Sequence, residues 1–433
     1  MKMIAGAGGV ANISRWPDAS PRPKSEAAAT PMKNIPELPV ILRVGGPLNT
    51  LECKPLPPYS VQATEFLAAL SKALLALPAA RQYPDIAAFG YWCRAANLTK
   101  LAREFGTQHP RLGRGLVLHI APANVPVNFA FSFAFGLLAG NANIVRIPER
   151  DFPQVEVICD EIARLFAMPT HSRLAAMNRL IKYPRSDGIT GALSVHCQAR
   201  MLWGGDATIT HLRKLPAHPR SVDIAFADRY SFCLMQAEAV LGADGQAMTE
   251  LVRGFFNDVF LLDQNACSSP HLVIWRGNHE QAGQAQNRFW SAMAAHLKQR
   301  YEIAPIHAVD KFVNLCRTAN MLPQASGSIR HDNLIYRVSL NGLPTDIEQH
   351  RGQYGFFYEY VTEDLGCFAE IVGERYQTLT CFGIDRDSLV RFIIDEGLTG
   401  IDRVVPVGKA LDMGAIWDGY NLVQELSRIV STA

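Results

Sequence analysis

Leu116-Val-Leu-His-Ile-Ala-Pro-Ala-Asn-Val-Pro126 joins a strand-like run to a helix-like one. Its first five residues predict a strand, and the apolar run over 125–138 predicts a helix that ends before Gly140. A second strand-like run follows at 143–147. A strand–helix–strand unit of this length predicts two parallel strands buried on both faces, which explains why the helix is apolar nearly all round.

The alternation of strands and helices continues on both sides of this unit. Helices are predicted at 63–77, 84–105, 152–166, 207–215, 247–262, 279–299 and 415–429. Strands are predicted at 199–203, 223–227, 230–236, 271–275, 332–339, 354–361 and 378–384. This order is typical of an α/β protein with a doubly wound parallel sheet and a second α/β domain.

The segments divide the chain into a tail and two domains. Residues 1–35 are rich in Gly, Ala, Pro and Ser and predict a flexible tail. Residues 36–255 predict a cofactor-binding domain, which 405–433 completes, and residues 256–404 predict a catalytic domain. Because parallel sheets bind ligands at the carboxyl ends of their strands, we expect the site there.

Composition excludes several classes of protein. The 433 residues are 48% hydrophobic and 19% charged with a net charge of +2, which argues against a nucleic-acid binder. The nine cysteines form no C-x-x-C pair, so a reducing cytoplasm fits better than a zinc site or a disulfide framework. The N-terminus lacks the compact apolar core of a signal peptide. The most apolar run, 125–139, is too short to span a bilayer, so we expect no integral membrane segment.

Leu262-Asp-Gln-Asn-Ala-Cys-Ser-Ser-Pro270 places one cysteine directly after a long apolar helix. Free cysteines are usually small buried hydrophobes, and the other eight are treated as structural on that ground. Cys267 differs because its neighbours are polar, whereas a core cysteine would more often lie inside the apolar run. A thiolate can accept an acyl group, so the stretch predicts Cys267 as a nucleophile.

Asn124 follows the first strand and precedes the helix, between two prolines. One interpretation is a helix N-cap, a position that asparagine fills well. The other is an oxyanion donor, because a neutral amide at the carboxyl end of a strand can hydrogen-bond a developing alkoxide. The local pattern supports both equally.

Candidate cofactor-binding residues come from three further places. Gly204, Gly205 and Thr208 follow the strand 199–203 and can let a phosphate approach a helix N-terminus, although Asp206 beside them would repel it or cap the helix. Arg146, at the end of the second strand, either meets a ribose 2′-phosphate or is a solvated cation.

Glu359 is a candidate base or ribose ligand. No G-x-G-x-x-G follows the first strand, so the usual dinucleotide fingerprint is missing.

Taken in order, six blocks of the chain resemble the acyl-CoA reductase (LuxC) family of the aldehyde dehydrogenase superfamily. They are His119-Ile-Ala-Pro-Ala-Asn-Val-Pro126, Gly136-Leu-Leu-Ala-Gly-Asn-Ala-Asn-Ile-Val-Arg146, Trp203-Gly-Gly-Asp-Ala-Thr-Ile209, Pro219-Arg220 through Asp228-Arg-Tyr-Ser231, Asp263-Gln-Asn-Ala-Cys-Ser-Ser-Pro270, and Gly400-Ile-Asp-Arg-Val-Val-Pro-Val-Gly408 with Trp417-Asp-Gly-Tyr420. The blocks run over roughly residues 100–430, and six in order are far more specific than any one.

The resemblance implies an aldehyde dehydrogenase-like fold, a nicotinamide cofactor and a homo-oligomer. It carries over Cys267 as the acylated nucleophile and Asn124 as the oxyanion donor. Arg146 stands where the superfamily commonly has a lysine that contacts the adenosine ribose, and family members favour NADPH, which suits an arginine. The Trp203-Gly-Gly block stands where the glycine turn for the cofactor phosphate falls.

Two motifs of oxidising aldehyde dehydrogenases are missing. The chain has no Glu-Leu-Gly-Gly, which supplies those enzymes with a deacylating base. It has no clear Glu-x-Phe-Gly-Pro either, and Glu359 is the candidate substitute. The first absence fits a reductase, because a hydrolytic base would waste the acyl-enzyme.

The sequence therefore predicts an NADPH-dependent acyl-CoA reductase. Alternatives within enzymes are an aldehyde dehydrogenase or an acyl-phosphate reductase, and the alternative from another class is a non-catalytic subunit that transfers acyl groups with a protein partner. The acyl chain cannot be read, because Phe129, Phe131, Phe133 and Phe135 could line a fatty acyl tunnel but more often such residues pack a core.

Overall fold

A computed structural model describes residues 35–106, 108–122 and 125–431. The predicted tail, apart from residue 35, and the predicted oxyanion donor Asn124 lie outside the described residues.

The first domain is built on a mainly parallel sheet. Its strands are β1 (Ile41–Val44), β2 (Arg111–Gly113), β3 (Leu116–Ile120), β4 (Ala142–Arg146), β5 (Asn178–Lys182), β6 (Ala199–Trp203) and β7 (Val222–Phe226). Its helices are α1 (Val61–Ala76), α2 (Ala79–Gln82), α3 (Pro84–Trp92), α4 (Ala95–Phe105), α5 (Asn128–Leu138), α6 (Pro153–Phe166), α7 (Ser172–Met177), α8 (Asp187–Ser194) and α9 (Asp206–Arg213). The sheet order is β1-β5-β4-β3-β6-β7, with β1 antiparallel to β5 and the other pairs parallel.

Strand β3 lies in the middle of this sheet, and the chain winds outward from it in both directions. Strands β4 and β5 follow on one side, and β6 and β7 on the other. The carboxyl ends of β3 and β6 therefore lie side by side where the winding direction reverses, which is the usual ligand position in such sheets. Helix α5, with nearly every residue buried, packs on β3 and β4 as the crossover pattern predicts.

The second domain is also mainly parallel. Its strands are β8 (Tyr230–Gln236), β9 (Pro270–Arg276), β10 (Ala325–His331), β11 (Ile335–Leu340), β12 (Phe356–Thr362), β13 (Tyr376–Phe382) and β14 (Arg403–Pro406). Its helices are α10 (Ala237–Gly242), α11 (Gly245–Val259), α12 (His279–Arg300), α13 (Pro305–Met321), α14 (Cys367–Ile371) and α15 (Arg386–Asp395). The order is β10-β11-β12-β9-β8-β13-β14, and only β10 runs antiparallel.

The boundary between the domains differs from the predicted one at 255. That position lies inside α11, and β8 belongs to the second sheet, where it pairs with β9 and β13. The second domain thus begins directly after β7. The apolar pattern of β8 predicts a buried strand, but it does not indicate which of the two sheets this strand joins.

The C-terminal segment returns to the first domain, but not as the predicted helix over 415–429. It forms the hairpin β15 (Ile416–Trp417) and β16 (Tyr420–Asn421), the short helix α16 (Leu422–Glu425) and the strand β17 (Ser427–Ile429). Asp418 and Gly419 have φ of 48° and 73°, so they make the tight turn that an Asp-Gly pair favours. Strand β17 pairs with β2, so the chain after β14 returns to the first domain. The predicted start of this segment at 405 lies inside β14, which belongs to the second sheet.

A second difference concerns the predicted helix over 84–105. The structure divides it into α3 and α4, which are separated at Cys93 and Arg94. No helix among the described residues is long and apolar enough to cross a membrane.

Candidate active site

A cavity of about 850 Å³ lies between the two domains. It is lined from the first domain by the loop after β3 and by the turns after β6 and β7. The second domain contributes the segment between α11 and β9, one face of α13 and the loop before β12. The C-terminal segment closes it with residues 408, 411–413, 417 and 418. The carboxyl edge of the first sheet thus meets the predicted nucleophile.

Cys267 lies on a tightly anchored loop. A 3₁₀ turn at Phe260–Leu262 ends α11, and Asp263 and Gln264 then take left-handed backbone angles with φ of 54° and 61°. The buried Gln264 side chain accepts from the backbone N–H groups of Gly355 and Phe356, and it donates to the Pro270 and Phe356 carbonyls, at 2.9–3.1 Å. These four bonds fix the loop to the amino end of β12, so Cys267 is held in place.

Ser231 links the backbone of Cys267 to the centre of the second sheet. Its hydroxyl donates to the Cys267 carbonyl at 2.7 Å and accepts from the Thr378 N–H at 3.2 Å. Ser231 is fully buried at the start of β8, and Thr378 lies on β13. Cys267, β8 and β13 are therefore joined by one hydroxyl group.

The thiol of Cys267 is partly buried, and this burial raises its pKa to about 11. The nearby Asp418 carboxylate raises the pKa further, whereas a hydrogen bond from the Gln377 side chain and the charge of Arg403 lower it. The backbone N–H of Cys267 itself also lowers the pKa of the thiol. At neutral pH the resting group is a thiol rather than a thiolate.

The glycine turn after β6 meets the cavity as expected. Gly204 and Gly205 line it, and Gly205 precedes α9 without any side-chain cap. Thr208 is not part of the cavity wall, and instead it packs 3.1 Å from the position that a Cβ on Gly204 would take. Thr208 thus supports the turn from behind.

Asp206 does not oppose an anion at this turn as strongly as its position in the sequence suggested. Its carboxylate accepts from the Asp228 N–H at 3.0 Å and pairs with Arg375 at 3.0 Å. The carboxylate of Asp206 interacts with these two partners, and the side chain does not cap α9. The turn therefore fits a cofactor phosphate, because a glycine backbone and an uncapped helix N-terminus face the space.

Arg146 lies at the same edge of the sheet, at the end of β4, but outside the cavity wall. Its guanidinium donates to the Tyr183 carbonyl at 3.1 and 3.2 Å and lies over the Tyr183 ring. Glu149 is 3.7 Å away, and the side chain is 17% exposed. Since β3 separates β4 from β6, Arg146 and the glycine turn are about 10 Å apart across the sheet.

Glu359 is placed elsewhere, and the structure does not support a cofactor role for it. Its side chain is 2% exposed and forms a 3.0 Å ion pair with the equally buried Arg337. It also accepts from the indole N–H groups of Trp275 at 2.8 Å and Trp290 at 2.6 Å. It does not line the cavity. These contacts use both carboxylate oxygens in the core of the second domain.

The phenylalanines of α5 divide between two roles. Phe129, Phe133 and Phe135 are fully buried in the first core, as the sequence favoured. Phe131 instead lines the cavity, with edge contacts to Phe89 and Trp92 at 5.0 and 5.6 Å between ring centroids.

Three residues around the thiol were missed by local patterns, because they come from distant parts of the chain. They are Ser231, Gln377 and Asp418. Ser231 and Asp418 end or occupy two of the blocks that carry the family resemblance, and those blocks are the signal that pointed to them. Gln377 had no such signal.

Solved structures with a similar fold include several aldehyde dehydrogenases. The NAD-dependent benzaldehyde dehydrogenase from Corynebacterium glutamicum has a TM-score of 0.56 and 15% identity over 86% of this chain and 85% of that one. The methylmalonate-semialdehyde dehydrogenase from Oceanimonas doudoroffii has a TM-score of 0.58 and 12% identity, with 86% and 87% covered. Aldehyde dehydrogenase 21 from Physcomitrella patens, in complex with the reaction product succinate, has a TM-score of 0.59 and 11% identity, with 85% of each chain covered. At these identities the likeness shows the shared fold.

A comparison with curated protein sequences gave no significant match. The sequence profile of one family does match, over residues 100–429, and it is described as Acyl-CoA reductase (LuxC). This range contains Cys267, the glycine turn and the hairpin with Asp418, and it is well over half of the chain. The chain therefore belongs to the acyl-CoA reductase (LuxC) family.

Proposed function

We propose that this protein reduces an acyl-CoA thioester to the aldehyde, with Cys267 carrying the acyl group and NADPH as the hydride donor. Membership of the family makes the chain an oxidoreductase that acts on acyl or aldehyde groups. The observation that carries the finer proposal is the position of Cys267. Of the nine cysteines, it is the one that lines the cavity as the described residues outline it, and it shares that cavity with the glycine turn.

In the first half-reaction the Cys267 sulfur attacks the thioester carbon. A bond forms between Sγ and the acyl carbon, the bond from that carbon to the CoA sulfur breaks, and CoA leaves as a thiol with the proton that Cys267 gives up. The anchored loop holds Cys267 against the second sheet. The backbone of Cys267 therefore does not have to rearrange before the sulfur attacks a substrate in the cavity.

In the second half-reaction the acyl carbon is reduced and the enzyme is released. NADPH, when bound, supplies a hydride to this carbon. The resulting thiohemiacetal on Cys267 collapses, the Sγ–carbon bond breaks, the aldehyde leaves, and the sulfur takes up a proton. The glycine turn and Arg146 are the residues that we assign to the cofactor phosphates, because both lie at the carboxyl edge of the first sheet.

Both half-reactions develop negative charge on the carbonyl oxygen. We assign the Cys267 backbone N–H to this oxyanion, because a backbone N–H at the nucleophile itself can donate to the charge that develops on the carbonyl oxygen. Asn124 is the second donor in the proposal. It lies outside the described residues, so its assignment rests on the sequence and on the family resemblance.

The acids around the cavity support reduction over hydrolysis. No glutamate is among the described residues that line it, which agrees with the missing deacylating motif. Of the aspartates, Asp258 accepts from the N–H groups of Gly408 and Ala410 at 2.6 and 2.8 Å, and Asp228 is 3.6 Å from Arg351. A described lining without a glutamate lacks the residue type that supplies oxidising aldehyde dehydrogenases with their deacylating base, and this supports reduction of the thioester over its hydrolysis.

The wall of the cavity supports a fatty acyl group as the substrate. Phe131, Trp203, Phe226 and Trp417 face the space, with the Trp203 and Phe226 rings stacked at 3.7 Å. Such rings offer a large apolar surface to an alkyl chain. A homo-oligomer, a protein that donates acyl groups and a cytoplasmic location are further predictions from the sequence.

Intact-protein mass spectrometry tests the proposal. The protein is incubated with acyl-CoAs of increasing chain length, without nicotinamide, and NADPH is added afterwards. We expect the mass of one acyl group on the wild type, none on Cys267→Ala, and loss of the added mass as aldehyde forms with NADPH.

The exposed Cys316 provides the matched control. Cys316→Ala should behave as the wild type. Acylation of Cys267→Ala would mean that another thiol is the nucleophile, and no acylation by any CoA ester would point to an acyl phosphate or an aldehyde as the substrate. Acylation that NADPH does not discharge would indicate an acyl-transfer subunit.

A further inference from the structure

The cationic side chains in the described wall of the cavity all come from the second domain. They are Arg229, Lys311, Arg317 and Arg351. The first domain contributes the glycine turn and the N-terminus of α9, but none of the described residues that it adds to the wall is cationic. The cavity therefore offers two different surfaces to anions, a backbone turn on one side and guanidinium groups on the other.

Two of the four cations are already engaged within the protein. Lys311 is 1% exposed, and its ammonium group donates to two backbone carbonyls of the turn before β11. Arg229 is 19% exposed, and its Nε atom lies 3.5 Å from the carboxylate of Asp418. These contacts leave Arg317 and Arg351 as the candidates for binding an external anion.

Arg317 lies on the face of α13 that lines the cavity, and it is exposed. Its guanidinium forms no ion pair or hydrogen bond with any residue that the structure describes. Asp310, the acid that α13 also presents to the cavity, lies two helical turns away, about 10 Å along the helix axis. The charge of Arg317 is therefore available to a ligand.

Arg351 belongs to a loop that is bonded to the same helix. The Asn314 side chain, one helical turn before Arg317, donates to the Arg351 carbonyl at 3.2 Å. The Arg351 side chain is 30% exposed, and its guanidinium lies 3.6 Å from Asp228, which is a loose ion pair. Two arginines from separate elements thus belong to one hydrogen-bonded part of the cavity, which we call the cationic wall.

The loop of Arg351 also connects the cationic wall to the nucleophile. Gln353 donates to the Asn265 side chain, and the Tyr354 N–H donates to the Asp263 carbonyl at 3.1 Å. Both acceptors belong to the loop that carries Cys267. Tyr354 has a φ of 60°, which bulky residues rarely adopt, and strained backbone of this kind is common at functional sites. The wall therefore continues by hydrogen bonds from the nucleophile loop to α13.

We propose that Arg317 and Arg351 bind the phosphates of coenzyme A, so that the acyl donor lies along the second domain and NADPH along the first. This inference rests on the proposed function, because an acyl-CoA is the substrate in that proposal. Coenzyme A carries its thioester and its phosphates at opposite ends of the pantetheine arm, which matches a nucleophile and a cationic wall joined by one loop. Arginine suits the position because a guanidinium group binds phosphate through paired charge-assisted hydrogen bonds.

The first experiment separates the phosphates from the rest of the substrate. The acylation rate of Cys267 is measured with an acyl-CoA and with the same acyl group on pantetheine, which lacks the phosphates and the adenosine. For Arg317→Gln we expect the second-order rate constant to fall about ten-fold for the acyl-CoA and to change less than about two-fold for the acyl-pantetheine. Glutamine is nearly as good a helix former as arginine, so the fold should not change.

Arg253→Gln is the matched control, because Arg253 is exposed on a helix of the same domain and does not line the cavity. It should leave both rate constants as they are in the wild type. Equal falls for the two donors in Arg317→Gln would show that Arg317 only supports α13, and this would overturn the proposal. An unchanged rate constant for the acyl-CoA would overturn it as well.

A second experiment measures the binding of free coenzyme A by isothermal titration calorimetry, which needs no acyl transfer. For Arg317→Gln we expect the Kd of coenzyme A to rise about ten-fold. Adenosine 2′,5′-bisphosphate, which represents the phosphate end of NADPH, should not displace coenzyme A from the wild type. Displacement would mean that both ligands use the glycine turn, and the cationic wall would then have no role in binding the acyl donor.

The two experiments distinguish failure of this inference from failure of the proposed function. If coenzyme A binds as expected but no CoA ester acylates Cys267, the reductase proposal fails and the phosphate site stands. If CoA esters acylate Cys267 and Arg317→Gln changes neither the rate nor the binding, the reductase proposal stands and the phosphate site fails.

Discussion

The hydroxyl of Ser231 donates a 2.7 Å hydrogen bond to the carbonyl of Cys267, the residue that we propose as the acyl carrier. The same hydroxyl accepts from the Thr378 N–H. Ser231→Ala leaves both backbone groups without this partner in a fully buried place. We expect a loss of about 1–3 kcal/mol in the free energy of unfolding, and a fall in the acylation rate as Cys267 gains freedom. Denaturant unfolding and single-turnover acylation measure the two effects.

A control for Ser231→Ala is Thr99→Ala, which removes an exposed hydroxyl bonded within its own helix. It should leave the acylation rate unchanged and should not lower the free energy of unfolding, because alanine favours a helix more than threonine does. Reduced stability with an unchanged acylation rate in Ser231→Ala would show that this hydroxyl supports the sheet but does not position the nucleophile.

Gly205→Ala tests the proposed phosphate turn. Gly205 has φ of −67°, which suits an alanine, and an added Cβ would meet only Asp228 Oδ2 at 3.8 Å. The fold should therefore tolerate the change, whereas a cofactor phosphate close to the backbone would be pushed away. We expect an unchanged melting temperature and at least several-fold weaker NADPH binding in a fluorescence titration.

Gly245→Ala is the matched control for this change, because a Cβ there meets nothing within 4 Å, and Gly245 opens a helix far from the turn in the sequence. It should bind NADPH as the wild type does. Equal binding by Gly205→Ala would remove the glycine turn from the cofactor site.

The sequence predicted the alternation of elements well because buried parallel strands and amphipathic helices leave strong local patterns. The strand–helix–strand unit at β3–α5–β4 is confirmed, as are β6, α6 and α12. These elements are long enough for apolar periodicity to dominate other signals. The class of fold follows from their order.

Errors arose where a local signal competed with periodicity or where long-range pairing decides. The Asp418–Gly419 turn marks a hairpin inside a segment whose apolar spacing favoured a helix. Strand β8 reads as a buried strand in either domain, and only its hydrogen bonds to β9 and β13 place it in the second sheet.

The site was predictable only in part. Cys267 and the glycine turn lie in loops whose composition breaks an apolar pattern, and such breaks are visible in one sequence. Gln377 is an ordinary polar residue on a strand, and nothing local distinguishes it from a solvated one. Glu359 was a candidate base or ribose ligand for a related reason. The sequence of one strand does not show that the residue forms a buried ion pair with Arg337.

Arg146→Leu tests the preference for NADPH. The guanidinium is held by the Tyr183 carbonyl at the carboxyl edge, where it can bind a 2′-phosphate that NADH lacks. Since charge-assisted hydrogen bonds contribute about 1.5–3 kcal/mol, we expect the KM for NADPH to rise about ten-fold or more, with little change for NADH. Steady-state kinetics with both cofactors measure the ratio.

Arg150→Leu serves as the control for Arg146→Leu, because Arg150 lies nearby in the sequence and packs on the Phe152 ring. It should leave the ratio unchanged. An equal rise in the KM for NADH and in the KM for NADPH in Arg146→Leu would indicate that Arg146 has a structural role beside Tyr183.

Glu359→Gln tests the structural place of this residue. Removing one partner of a buried ion pair leaves the Arg337 charge uncompensated, so we expect a loss of about 3–5 kcal/mol of stability. Because Glu359 does not line the cavity, the KM for the cofactor should not change in the folded enzyme. Asp332→Asn breaks a pair with Lys298 whose side chains are 67% and 62% exposed, and it should cost under about 1 kcal/mol. A raised KM with normal stability in Glu359→Gln would restore the cofactor role.

The buried carboxyl group of Asp258 is expected to make the stability of the protein depend on pH. Burial raises its pKa to about 7, whereas an aspartate in the unfolded chain titrates near 3.8. Between these two values the folded state binds more protons than the unfolded state, so this group makes the free energy of unfolding fall as pH rises from 4 to 7, by at most about 1.4 kcal/mol per pH unit. Asp258→Asn should flatten that part of the curve in denaturant unfolding. Asp412→Asn, at an acid whose side chain is 61% exposed, should keep the slope. An Asp258→Asn curve parallel to that of the wild type would mean that the carboxylate, with its two bonds to the loop at Gly408 and Ala410, stays charged throughout this range.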